Sequence, residues 1–432
     1  MLRLVGLDLI IFSILLILHR ISADKISYAG YSVVEATPKN NDELTWLESD
    51  SPCSVLGEWV GNGVGLLCSR LEANLLRQQA KNRGIKTTFS TRHLGRQIDK
   101  EEEQNSRADL IQPHKRQKKR ILTHEEFVNY ATIQHYLDSL QELYPYVNVS
   151  SIGKSIEGRD LKLVTINGGR NLPKIFIDAG IHAREWISPA STLFFIDKLT
   201  KVLKRQKTHS TKTTGRRSLT DEIEWHIVPL MNPDGYEHSR NKDRMWRKNR
   251  RVNPNSNCVG VDLNRNFPEG YGIGSSTRAC SEVFQGPNPL SEPESIALNN
   301  HIEQTSGIRA AVSVHSFGNV LIFPWGYTET AHPQKAALSE LANVISDTIY
   351  QKYEERYKPG TAKEVFGSWG VAGGATDDYY ITKGIPYSFT FELPQTDSAG
   401  NHGFLLPPSN IKKVGNQLFL GFMTLAGQVL KS

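Results

Sequence analysis

From Ile121 to the end of the chain, short runs of β-branched and aromatic residues alternate with longer amphipathic stretches, and this limits the folds available. LKLVTI, KIFIDAG, EWHIVPLMN, IRAAVSVHS, VLIFPWG and PYSFTFEL have the length and composition of strands. SPASTLFFIDKLTKVLKR, SEPESIALNNHIEQ and AALSELANVISDTIYQKYEERY have helical apolar spacing. THEEFVNYATIQHYLDSLQELYP opens with Thr123 and Glu126, spaced as in a capping box, and predicts a helix beginning there. Interleaving of this kind predicts an α/β fold with a mixed, mainly buried sheet. No internal repeat divides the 432 residues.

The region 24–120 has a different character. Strand-like runs (YSVVEA, GVGLLCSRL) alternate with helical patterns (NNDELTWLES, RLEANLLRQQAKNRG), which predicts a small α+β module. The glycines of GNGVG read as a turn, because no strand–loop–helix context supports a nucleotide site. The charged run DKEEEQNSRADLIQPHKRQKKR then reads as an exposed linker ending at Arg120. HKRQKKR suits a processing or trypsin-like protease, and cleavage there would release residues 121–432.

Compartment follows from the first 23 residues. An apolar run from Leu4 to Leu18, interrupted by Asp8, follows Arg3 and ends before Ile21-Ser22-Ala23, a small-residue site for signal peptidase. The run is short for a membrane span, which needs about 20 residues, although a retained signal anchor is the alternative. The signal-peptide reading makes the protein secreted and extracellular, with no membrane contact once the segment is removed. Four cysteines then read as two disulfides, Cys53 with Cys68 and Cys258 with Cys280, one per region. Asn148-Val149-Ser150 is a glycosylation sequon in that setting. A net charge of +6 is too mild to indicate a partner, and export argues against nucleic acid.

The chemistry-bearing residues sit at strand ends. In DAGIHAREWISPA, His182 and Glu185 are three apart, so one helical turn brings both to one ion. An imidazole and a carboxylate are standard zinc ligands, and a third ligand leaves one tetrahedral position for water. His315 ends the strand IRAAVSVHS, where open α/β sheets gather ligands. RMWRKNR carries Arg244 and Arg247, and VDLNRNF carries Asn264 and Arg265; a guanidinium fork with a neighbouring amide suits a carboxylate. Glu392, near the end of PYSFTFEL, is a carboxylate of the kind that serves as general base in amide hydrolysis.

HAREW, NPDGY, RMWRKNR, DLNRNF, VHSFGN, FPWGY, YSFTFEL and GFLLP occur in order across 121–432, and this ordered set resembles the pancreatic-type (A/B) zinc metallocarboxypeptidases. Residues 24–120 resemble that family's activation propeptide in layout. The resemblance implies a mainly parallel sheet with helices on both faces and one zinc ion held by His182, Glu185 and His315. It implies Glu392 as general base and acid, and Arg247 as the group that polarises the scissile carbonyl. It assigns the substrate's terminal carboxylate to Asn264 and Arg265, with Arg184 as an accessory charge, and it matches Cys258–Cys280 to a family disulfide. Peptide and protein C-termini are then the substrates, and the chain is a zymogen.

Some positions depart from that family. Trp369 stands where the family's mobile tyrosine caps the substrate, and Phe317 also replaces a tyrosine. The loop GGATDDYY places Asp377 or Thr376 at the floor of the specificity pocket; Asp377 would select Lys or Arg ends, and Thr376 neutral or apolar ones. LKRQKTHSTKTTGRRS, 203–218, holds six Lys or Arg and reads as a solvated loop or as a polyanion-binding segment. The alternatives to an active enzyme are a non-catalytic binder of C-terminal peptides and a basic, matrix- or membrane-tethered binding protein.

Overall fold

The computed structural model describes residues 25–59, 63–109, 122–209, 219–367, 370–394, 396 and 403–432. The expected signal peptide (1–23), Arg120, the end of the basic insertion and Trp369 lie outside the described residues.

The N-terminal module runs β1 (Ser32–Thr37), α1 (Asn41–Ser49), β2 (Ser54–Trp59), β3 (Gly63–Cys68), α2 (Arg70–Asn82), β4 (Lys86–Thr91) and α3 (Leu94–Asp109). Its strands form an antiparallel sheet ordered β2-β3-β1-β4. Ser69 and Glu72 cap α2 reciprocally, and Val34, Leu66, Leu76 and Ala80 fill the core beneath. The Cys53–Cys68 disulfide ties the start of β2 to the end of β3. The exposed-linker expectation fails for its first half, because DKEEEQNSRAD is helical and forms the end of α3. Leu94, Ile98, Glu101 and Asn105 recur at helical spacing and are all buried. Two of those four positions are polar, so the buried stripe was hidden in a charged sequence.

The larger part adds α4 (Tyr130–Leu143), β5 (Val147–Lys154), β6 (Asp160–Ile166), β7 (Lys174–Ala179), α5 (Ile187–His209), β8 (Glu224–Val228), α6 (Pro233–Asn241), α7 (Pro293–Gln304), β9 (Ile308–Ser316) and β10 (Val320–Ile322). It ends with α8 (Lys335–Tyr353), β11 (Lys358–Gly360), α9 (Ala362–Phe366), α10 (Thr376–Thr382), β12 (Tyr387–Leu393) and α11 (Ile411–Val429). The eight strands are ordered β11-β10-β12-β9-β7-β8-β6-β5. β7/β8, β7/β9, β9/β12 and β10/β11 pair in parallel; the other pairings are antiparallel. This is the mixed, mainly parallel sheet expected.

Side-chain alternation puts Ile175, Ile177, Val312 and Val314 against residues of α5, α8 and α11. Phe176, Val228 and Ala311 face Leu298 and Ile302 of α7 and Tyr379 and Tyr380 of α10, so helices cover both faces. The expected helix start at Thr123 is a correction. Thr123 hydrogen-bonds Glu126 (2.9 Å), but the helix begins at Tyr130, where the Asn129 side chain accepts the Thr132 N–H. Among the described residues, no helix is long and apolar enough to cross a membrane.

Candidate active site

β7 ends at Ala179, and the chain turns through Gly180, whose φ of +67° is a conformation glycine adopts without steric cost. A helical turn follows, with the Glu185 N–H donating to the His182 carbonyl, and this brings both side chains inward. His315 arrives from the carboxyl end of β9, two strand positions beyond the Asp178–Ser313 pair. The Nδ1 atoms of His182 and His315 are 3.2 Å apart. Glu185 Oε1 lies 2.7 Å from the first, and Oε2 lies 3.3 Å from the second while accepting the Ser316 N–H at 2.9 Å.

These three buried residues offer one ligand atom each, all within 4.8 Å of one another. Zinc at about 2.1 Å from two imidazoles in a tetrahedron needs a nitrogen–nitrogen edge of roughly 3.4 Å. The donor set fits that ion, both in its spacing and in its two imidazoles and one carboxylate. On the far side, His182 Nε2 lies 3.1 Å from Asp262 Oδ1, the kind of outer partner that orients a metal-binding imidazole. Asp262 Oδ2 accepts from Nε and Nη2 of Arg247 at 3.1 and 2.9 Å. Burial opposes ionisation of Asp262, yet the charges of Arg247 and His182 hold it well below the usual carboxylate range.

β12 pairs in parallel with β9 so that Glu392 stands directly beside His315. Glu392 lines the groove, but its Oε2 is buried with no hydrogen-bond partner. Burial, reinforced by Glu185, pushes its pKa up to about 8, against the opposing pull of His315 and Arg247. A cation beside it would pull that value back down.

The same groove is lined by Arg247, Asn264, Arg265 and Asp377. Asn264 accepts the Thr376 N–H at 3.0 Å, and Arg265 donates to the Asn264 carbonyl at 3.0 Å while its Nε stays buried without a partner. Asp377 is buried at the groove, and burial raises its pKa despite Arg265 and His315. Its neighbour Asp378 turns away and accepts the N–H groups of Gly326 and Tyr327 at 2.9–3.1 Å. Thr376 is fully buried. Phe317 also lines the groove and packs edge-on against Phe404, 4.7 Å between centroids.

Arg184 is not brought together with Asn264 and Arg265. Its guanidinium is buried, donates to Glu282 at 2.8 Å and to the carbonyls of Met245 and Leu56, and lies 4.7 Å from the Phe404 ring. Leu56 belongs to β2 of the N-terminal module, and Leu56 and Gly57 themselves line the groove. Arg244 is covered in the same way by Glu101 of α3. Asp262 and these module residues escaped sequence reasoning. Only the apolar flanks of Asp262 in VDLN hinted at burial. The second disulfide, Cys258–Cys280, is formed.

The zinc carboxypeptidase family model (peptidase M14) matches residues 133–421. Rat carboxypeptidase A1 is 35% identical over 321 residues, 72% of this chain and 73% of its own. Bovine carboxypeptidase B2 is 34% identical over 318 residues, 72% of each chain, and human carboxypeptidase B 34% over 317, again 72% of each. Carboxypeptidase A from Helicoverpa armigera superposes with a TM-score of 0.80 at 27% identity, over 94% of this chain and 98% of that one. Thrombin-activatable fibrinolysis inhibitor gives 0.77 at 27%, over 93% and 99%. Matched by that family model over residues 133–421 and by these relatives over more than two thirds of its length, this chain belongs to the zinc carboxypeptidase family.

Proposed function

We propose that this metallocarboxypeptidase is a secreted zymogen that removes Lys or Arg from peptide C-termini after release of residues 24–120. The observation that carries the reading is one groove that holds a partnerless carboxylate oxygen, a cationic socket and a buried Asp, and onto which His182 and Glu185 of the His–Glu–His cluster open. His182, Glu185 and His315 would hold one zinc ion, whose Lewis acidity polarises a carbonyl and acidifies water. Glu392 takes a proton from the attacking water and returns it to the departing amine. Arg247, oriented by Asp262, donates to the scissile carbonyl oxygen as negative charge develops there.

Arg265 and Asn264 hold the terminal carboxylate, which restricts cutting to the last peptide bond because an internal residue has no such group. Asp377 receives the basic side chain, since it lines the groove and Thr376 does not; Asp378 is already occupied by two backbone N–H groups. Residues 1–23 act as signal peptide and 121–432 as the catalytic domain. Leu56 and Gly57 over the groove support a blocked precursor. The test is to cut after Arg120 and offer peptides ending in Arg, Phe or Glu, with and without a zinc chelator. The reading requires chelator-sensitive release of Arg first; equal release of Phe would remove Asp377 from its role, and no release at all would leave a binding protein.

A further inference from the structure

The sequon Asn148-Val149-Ser150 is the single N-x-S/T triplet in the chain, and the catalytic groove makes no use of it. It falls in β5, the outermost strand of the large sheet, which pairs with β6 alone. Residues two apart in a strand share a face, and both Asn148 and Ser150 are exposed while Val149 between them is half-buried. The acceptor amide and the hydroxyl that a glycosyl transferase reads therefore sit together on open surface.

The surroundings favour an attached group rather than a docking strand. An open strand edge is a template for pairing with another chain unless its donors are occupied or screened. The Val147 N–H is taken by the Tyr144 carbonyl (3.0 Å) and the Val149 N–H by the Gln141 side chain (2.9 Å). Register also keeps the site clear of the chemistry. Asn148 aligns through Thr165 and His226 with Phe176 of β7, three strand spacings or about 14 Å across the sheet. Phe176 is the third of six residues in β7, three before the carboxyl end at Ala179 from which the chain runs on to His182.

We propose that Asn148 carries an N-linked glycan that shields this sheet edge. The inference rests on the secretory part of the reading above, since the donor is met only there. The donor is an oligosaccharide on a lipid pyrophosphate. Asn148 Nδ2 bonds to the anomeric carbon as the bond from that carbon to the pyrophosphate oxygen breaks; the lipid pyrophosphate leaves, and the proton lost from Nδ2 passes to it or to water. No oxidation or reduction is involved.

The test is full-length expression in a eukaryotic secretory cell line, followed by digestion of the secreted protein with an N-glycan-specific amidase. Wild type should gain mobility, and mass spectrometry should find Asn148 converted to Asp. Asn148→Gln and Ser150→Ala should lose the shift, Ser150→Thr should keep it, and all should retain wild-type carboxypeptidase activity after cleavage. A secreted, active wild-type protein with an unmodified Asn148 overturns the glycan and leaves the enzymatic reading standing. A protein that stays inside the cell overturns the secretory claim and the glycan together.

Discussion

On the proposed zymogen reading, Glu101→Gln should speed the release of residues 24–120 once the chain is cut after Arg120. Glu101 meets Arg244 through two charge-assisted bonds, Nε to Oε2 at 2.5 Å and Nη2 to Oε1 at 3.0 Å, with both side chains buried. Arg244 keeps other partners: the carbonyls of Arg184 and Phe404, and the face of Trp186 at 3.7 Å. The substitution therefore removes a charge without orphaning the guanidinium. Charge-assisted bonds contribute about 1.5–3 kcal/mol each, and a neutral amide restores about 1. Desolvation of Glu101 offsets part of the rest. A net loss of about 1.5–3 kcal/mol weakens docking roughly 10- to 150-fold. The assay cuts the chain after Arg120, follows cleavage on gels, and measures the lag between cleavage and peptide hydrolysis. Asp99→Asn, on an exposed position of the same helix, is the control. A lag in Glu101→Gln within about twofold of wild type, the scale of a surface charge, would refute the argument.

Glu392→Gln should keep its metal and lose about 10²–10⁴ in kcat, measured by steady-state hydrolysis beside metal analysis; near-normal turnover removes it as general base. Asp377→Ala should cut kcat/KM for Arg-ended peptides by about 10²–10³ and spare Phe-ended ones, because a buried charge loses its partner. Glu294 has its pKa raised from 4.5 to about 7 by burial, so its contribution to stability is full below pH 4.5 and is lost as pH rises through about 7. Glu294→Gln should consequently gain about 3 kcal/mol on wild type between about pH 5 and pH 8 in urea melts, and a pH-independent difference would contradict this.

Much of this molecule can be read from its residues because strand ends and motif order are local signals. β6 to β9 and β12 lie where apolar runs predicted them, and His182, Glu185 and His315 all fall at the carboxyl side of β7 and β9. What escaped depends on distant neighbours. Helix α11 has no side-chain cap, and its Gly415 approaches Phe194 so closely that a Cβ would lie 2.4 Å from the ring, so propensity alone gives it no start or stop. Strand β5 is half-exposed and serine-rich, without an apolar run. Glu101 reads as solvent-facing until Arg244, 143 residues later, is folded beneath it. The resemblance makes Arg184 an accessory charge for the substrate, whereas with residues 24–120 in place its guanidinium donates to the Leu56 carbonyl.

The most direct test of the whole account is metal content. The purified chain cut after Arg120 should contain close to one zinc per molecule, and His315→Ala should lose both the zinc and chelator-sensitive hydrolysis while keeping its fold by circular dichroism. A folded, hydrolytically active protein without zinc would contradict the claim that His182, Glu185 and His315 form the metal centre.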